Sequence, residues 1–316
     1  MKILIVGAGA IGQVYALHAH RGGAQVAFWT RPAYHKDIDV PLLFFSAQEE
    51  APIATLSGHR VLSDLNDLED EWDELWICIS STALKKGDWL NNVLQRIPTA
   101  RILSLTPGFV DKQWLTARFP HRCFAFGLIT CVAWQHPLSI EKNDEAATIG
   151  IGYWFPPLVS SPFEGLSKQA HAILQRGGMK TVERRNLSFQ SAMGSAALLT
   201  AVANLESHGW SISALSRYSS VQELCAGIRE AQVVVATYHN ESIGLYRFLG
   251  WTWVWWLLLR VAPLCTPFPL ERFLTYHFVK VADQTKETLL AWIENATTPT
   301  VVLSRLYEEL SPQDQP

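Results

Sequence analysis

The opening residues KILIVGAGAIG set Gly7, Gly9 and Gly12 at G-x-G-x-x-G spacing, directly after an apolar run and directly before a segment with helical periodicity. The helical segment runs from Ile11 to about Arg21, and the β-like run AQVAFW follows it. Strand, glycine turn, helix and strand within about 30 residues form a βαβ unit, the context in which this motif carries meaning. Gly7 allows the tight turn, Gly9 removes a side chain where backbone must approach a pyrophosphate, and Gly12 lets the helix pack on the strand. The first helix amides, at Ala10 and Ile11, face the same point, where unsatisfied N–H groups and the helix dipole favour negative charge. The alternative is a glycine-rich turn with no ligand.

The end of the second strand selects between dinucleotides. An NAD site places Asp or Glu there for the ribose 2'-hydroxyl, whereas this strand ends in Thr30 and Arg31. Arg31 suits a 2'-phosphate, so NADP is the expected cofactor; a solvated surface arginine is the other reading.

The remaining first half alternates β-like and helical runs: ELWICIS, a helix near Leu84 to Arg96, and ARILSL. That alternation predicts a parallel, doubly wound Rossmann-type sheet. From Arg122 to Tyr153, RCFAFGLITCVAW, PLSIEK and ATIGIGYW read as strands extending the same sheet antiparallel. YWFPPLVSSPFEG reads as a loop, with a helix near Leu166 to Arg176 and a last strand at KTVER. Beyond about Arg185 strand signals stop. Ser188 to His208, Ser219 to Tyr238, Ser242 to Arg260 and Leu270 to Glu294 carry helical spacing, and PTVVLSRLYEEL closes the chain as a short helix. The expected division is residues 1–185 as a dinucleotide-binding α/β domain and 186–316 as an all-helical substrate or dimerisation domain.

With 316 residues, 48% of them hydrophobic, the chain can bury two cores. A net charge of −3 without Lys/Arg runs gives no footprint for nucleic acid. Five dispersed cysteines, never in a C-x-x-C pair, point to reduced thiols rather than a disulfide frame or zinc site. With no basic leader or cleavage pattern before the glycine turn, the expected location is cytoplasmic. The apolar run FLGWTWVWWLLL, Phe248 to Leu259, is short of the roughly 20 residues of a membrane span. It is expected to be a buried or subunit-facing helix, which would make a homodimer; contact with a membrane surface is the alternative. No H-E-x-x-H or G-x-S-x-G occurs, so neither a metal site nor a hydrolase nucleophile is expected.

MKILIVGAGAIG, a second strand ending in arginine, a glycine-containing loop after ARILSL, ATIGIG and a helical second half together resemble ketopantoate reductase (2-dehydropantoate 2-reductase). The resemblance covers the first 185 residues well and the helical half in outline. It implies NADPH in the first domain, a 2-keto acid in a cleft between domains, and a lysine general acid on the first helix of the second domain. The cofactor positions Gly7, Gly9, Gly12, Thr30 and Arg31 match. The substrate positions do not. Ser80 or Ser81 stands where the family has a lysine after the fourth strand, and Pro107 stands for an asparagine before Gly108. In FQSAMGSAALL, Ser191 falls at the catalytic lysine, Ser195 and Leu199 at two asparagines.

A neutral serine cannot stabilise an alkoxide or supply its proton as an ammonium does, and positioned acid catalysis contributes about 10²- to 10⁴-fold. A replacement is offered by His277, Lys280 and Gln284, at i, i+3, i+7 on a late helix face; a solvated face is the plain alternative. Asn204 and His208 form a weaker pair. Two functions follow: an NADP-dependent oxidoreductase with a changed substrate and acid, reducing a carbonyl or imine, or a non-catalytic NADP-binding sensor or interaction module.

Overall fold

The structure is a computed structural model that describes residues 1–49, 51–68, 71–106, 108–138 and 149–310. The backbone divides into two compact units, Met1–Pro107 with Asp111–Leu187, and Gly108–Val110 with Ser188–Pro316.

The first unit is built on β1 (Lys2–Val6), α1 (Ala10–Arg21) and β2 (Gln25–Trp29). A short 3₁₀ turn at Pro32–Tyr34 leads to α2 (His35–Ile38), β3 (Leu42–Phe45), β4 (Ala54–Leu56) and β5 (Arg60–Leu62). Then come β6 (Glu74–Ile77), α3 (Ser81–Lys85), α4 (Trp89–Arg96), β7 (Arg101–Ser104), α5 (Asp111–Arg118) and β8 (Phe124–Gly127). β9 (Val132–His136), β10 (Gly150–Trp154), β11 (Ser161–Glu164), α6 (Lys168–Arg176) and β12 (Thr181–Glu183) complete the unit.

Among the described residues the main sheet has the order β12-β11-β8-β7-β6-β1-β2-β5, parallel from β8 to β5, with β11 antiparallel to β8. The parallel strands are short apolar runs, as strands covered on both faces must be. In register, Val6 lies beside Trp29 and Ile77, and Ile77 beside Ser104, so the loops after β1, β2, β6 and β7 emerge at one edge. β1 sends its successor β2 to one side and has β6 on the other, which makes the β1/β6 edge the topological switch point.

The β9 and β10 strands do not extend this sheet. They pair with β3 and β4 in a second sheet of order β4-β3-β10-β9. α1 is covered by both, with Val14, Tyr15 and Leu17 in one core with Ile3, Phe28, Phe44 and Ile151. A helix apolar on most sides, with even Gln13 and His18 buried, has only such a place to go.

Other expectations shift locally. The helix expected over Leu84 to Arg96 is two, α3 and α4, parted by Gly87 at φ +73°. The loop expected at YWFPPLVSSPFEG contains the end of β10 and all of β11, and β3, β4 and β5 were not foreseen. Most of PLSIEK falls outside the described residues.

The second unit carries α7 (Leu187–Ser207), α8 (Ile212–Leu215), α9 (Tyr218–His239), α10 (Thr252–Cys265), α11 (Leu270–Lys280), α12 (Ala282–Glu294) and α13 (Val301–Glu309). α7, α9, α12 and α13 share a core that includes Met193, Ala203, Val235, Leu289, Trp292 and Leu303. The segment expected as one helix from Ser242 to Arg260 is a 3₁₀ stretch, Gly244–Gly250, bent 68° against α10. α10 runs past Arg260 to Cys265, and none of its residues is buried within the chain, so of the expected buried or subunit-facing helix the buried form is excluded. The long helix from Leu270 is broken at Val281, which leaves the helical region.

Candidate functional site

The carboxyl edge at β1/β6 is shaped by its glycines. Gly7 has φ +98°, where L-residues are strained, and a Cβ there would lie 2.4 Å from the Cys78 carbonyl oxygen. A Cβ on Gly12 would lie 1.9 Å from the Gly7 carbonyl oxygen, so the helix can approach the turn only without a side chain. Gly9 differs: within 4 Å of its Cβ position there is no other group. Two glycines are thus required by the chain's own packing and the third opens onto free space, as a site for close backbone approach requires.

Gly9 is also the N-cap of α1, with no side-chain cap and no acidic residue in the first turn. The amides of Ala10, Ile11 and Gly12 precede the first internal bond, Gln13 N–H to Gly9 O at 3.0 Å, and so have no partner within the helix. The Gln13 side chain turns back to donate to Ala8 O at 2.8 Å, bracing the turn from within. The residues present fit a pyrophosphate. Beneath the turn, burial pushes the Cys78 thiol far up and that of Cys131 to about 12. Both remain protonated filler, not nucleophiles.

At the end of β2, Thr30 is buried and its hydroxyl donates to Arg31 O at 2.8 Å, while its amide donates to Leu62 O at 3.0 Å. Arg31 is exposed and starts the Pro32–Tyr34 turn, which brings Tyr34 under it. The guanidinium lies 4.8 Å from the ring centroid and donates to the phenol oxygen at 3.1 Å. No carboxylate among the described residues pairs with Arg31, so its charge is oriented and available to an anion. Tyr34 was not singled out from sequence; R-P-A-Y, with proline fixing the turn, was the signal.

After β6, Ser80 caps α3, accepting from the Ala83 amide at 3.3 Å and sharing a 2.9 Å hydrogen bond with Thr82. Ser81 is committed elsewhere. Its hydroxyl is buried and donates to Asp111 Oδ2 at 2.6 Å, and the Asp111 carboxylate, 2% exposed, also meets Lys85 Nζ at 3.2 Å. Ser81 therefore ties α3 to α5 and does not present its side chain at the glycine turn. Pro107 lies outside the described residues, and Gly108 belongs to the helical unit.

In the helical unit Ser191, Gly194, Ser195 and Leu198 form the accessible face of α7, whereas Leu199 is buried in the core. His277 stacks on Phe273 at 5.4 Å and meets Phe278 edge-on at 4.9 Å. Burial, and then Lys280 nearby, lowers its pKa, so the imidazole is neutral at pH 7. Lys280 is exposed at the end of α11. Gln284 does not share their face, because the break at Val281 puts it on α12. Asn204 is buried and donates to Thr200 O at 2.9 Å, and His208 lies 2.7 Å from Asn204 O and 3.0 Å from Ser220 Oγ. That pair closes the end of α7. Among the described residues no group of three His, Cys, Asp or Glu is placed to hold a metal ion.

The family model described as ketopantoate reductase PanE/ApbA matches residues 3–154. A 2-dehydropantoate 2-reductase of Vibrio cholerae serotype O1 is 43% identical over 54 residues, which is 17% of this chain and 16% of that protein. Solved structures share the fold over almost the whole chain. D-mandelate dehydrogenase with NADH and anilino(oxo)acetate superposes with a TM-score of 0.73 at 15% identity, covering 98% of this chain and 97% of that one. 2-Dehydropantoate 2-reductase from Methylococcus capsulatus gives 0.65 at 16% identity, covering 98% and 95%.

Proposed function

We propose that this chain, whose residues 3–154 form a ketopantoate reductase PanE/ApbA domain, is a cytoplasmic NADP-dependent oxidoreductase that reduces a carbonyl or imine compound other than ketopantoate. The observation that carries the reading is the contrast within the glycine turn: Gly7 and Gly12 are required by internal packing, while Gly9 opens onto free space beside uncapped helix amides. Gly7, Gly9, Ala10, Ile11, Gly12, Thr30, Arg31 and Ser80 would hold the dinucleotide, with Arg31 on Tyr34 favouring the 2'-phosphate of NADP. When bound, its reduced nicotinamide would supply a hydride. The exposed free thiols Cys123 and Cys265 suit a reducing compartment.

The chain must still give a proton to the substrate oxygen or nitrogen. Ser191 stands where the family resemblance expects a lysine, and an aliphatic hydroxyl is a poor acid at pH 7. His277 is held neutral by burial, which leaves Lys280 as the candidate that carries a charge. A lysine can stabilise developing negative charge and donate.

A second reading is favoured by Leu199, which fills the core where the family's second asparagine would face substrate: a dinucleotide-binding protein without turnover. A screen of 2-keto acids, aldehydes and imines for NADPH oxidation separates the two. The oxidoreductase reading predicts turnover on at least one class and a fall in kcat of about 10²-fold or more for Lys280→Ala. Tight NADPH binding without turnover on any class supports the second reading and contradicts the first. Turnover that Lys280→Ala leaves unchanged refutes the assignment of the proton donor.

A further inference from the structure

The helical unit carries an apolar surface that its own core does not use. Across Gly244–Gly250 and α10, Leu245 is 78% exposed, Trp253 61% and Leu264 84%, with Trp251, Trp256 and Leu257 also exposed. An exposed apolar patch of this kind marks a surface that meets another phase or partner.

Its charges decide which. Between Glu241 and Glu271 the chain contains two charged residues, Arg247 and Arg260, both exposed. Arg260 lies 4.0 Å over the Trp256 ring and Arg247 5.4 Å over Phe248, so each guanidinium sits at the rim of an aromatic plane. Three carboxylates of the neighbouring helices are held by other groups. Glu230 accepts from the amides of Val302 and Leu303, Glu271 accepts from the Ile212 amide, and Glu223 pairs with Arg305.

A second copy of the chain docking this face against itself about a two-fold axis would bring four arginines together and, from the stretch between Glu241 and Glu271, no carboxylate. An anionic bilayer surface supplies the missing charge. Tryptophan also favours the boundary between headgroups and acyl chains, and arginine can keep its head at the phosphates while its stem lies along apolar groups. Together the two helical pieces have the length and apolar composition of a span, but they are bent 68° against each other, and no single helix among the described residues is long and apolar enough to cross a membrane.

We propose that the face formed by Gly244–Gly250 and α10 docks the protein peripherally on anionic lipid surfaces, independently of the dinucleotide reading. The chain's net charge of −3 would oppose such binding, so any attraction must be local to this face.

The test is co-sedimentation of the full chain with vesicles of phosphatidylcholine alone or with about 30% phosphatidylglycerol, whose headgroups give the surface a negative potential. The expected result is binding to the anionic vesicles, weakened by salt, and little binding to the neutral ones. The exposed-site double variant Trp253→Ser/Leu264→Ser should lose binding with unchanged thermal unfolding. Arg247→Gln and Arg260→Gln should each weaken it about fivefold. No binding to anionic vesicles, or equal binding by the double variant, overturns the proposal. So does a wild-type dimer, dispersed by the double variant, that ignores vesicles; the face then belongs to a second copy.

Discussion

A methyl group at Gly12 would collide with the Gly7 carbonyl at 1.9 Å, whereas one at Gly9 would meet no atom within 4 Å. Gly12→Ala is therefore expected to destabilise the first unit by about 3 kcal/mol or more, seen as a lowered denaturant midpoint. Gly9→Ala should cost under about 1 kcal/mol of stability yet weaken dinucleotide binding about tenfold or more. Equal effects of the two on folding would refute the distinction. The motif was legible because its meaning lies in six adjacent residues. The Ser81–Asp111–Lys85 cluster was not, because Asp111 stands 30 positions from Ser81 and meets it only in the fold.

His18 gives a residue-level dependence on pH. It is 5% exposed, 2.7 Å from Gly177 O, and burial lowers its pKa. The unfolded chain takes up a proton at this side chain near pH 6.5 and the native chain only at lower pH, so stability falls as pH drops below about 6.5. The slope from this group is at most about 1.4 kcal/mol per pH unit. Glu74, whose pKa burial raises, acts in the opposite direction over the acidic range. The His18→Gln variant isolates the histidine: its thermal stability should lose less than the wild type's between pH 6.5 and 5. Parallel profiles would contradict this.

Among elements, α3 and α5 are joined by the buried Asp111 carboxylate between Ser81 and Lys85. Removing it takes away the acceptor of the Ser81 hydroxyl and one contact of the Lys85 ammonium. Asp111→Ala is expected to cost about 3 kcal/mol in urea unfolding, and Asp111→Asn, which can still accept from Ser81, about half that. A change below about 0.5 kcal/mol for Asp111→Ala would show the cluster to be dispensable. The long helices and the parallel strands announced themselves through period and apolar runs. β4 and β5, three residues each, are too short to show a period. The break at Val281 interrupts no apolar pattern, so Leu270 to Glu294 read as one helix although the backbone forms two.

On the scale of the whole molecule, the sequence showed alternation giving way to helices, and the backbone divides near Leu187. Strand periodicity carries no information on which edge a strand joins, which is why β9 and β10 were assigned to the main sheet instead of to a second sheet with β3 and β4. The glycine turn after β1 was readable because its pattern is local. No reacting residue was legible in the helical half, because Ser191 and Leu199 stand where the family resemblance implies a lysine and an asparagine.

The central claim, an NADP grip at the β1/β6 edge, is tested most directly by fluorescence titration of NADPH and NADH against the wild type and Arg31→Asp. The account predicts NADPH binding about 10- to 100-fold tighter than NADH, the worth of charge-assisted hydrogen bonds to a phosphate, and loss of that preference in Arg31→Asp. Failure to bind either dinucleotide, or a preference that Arg31→Asp leaves unchanged, would contradict it.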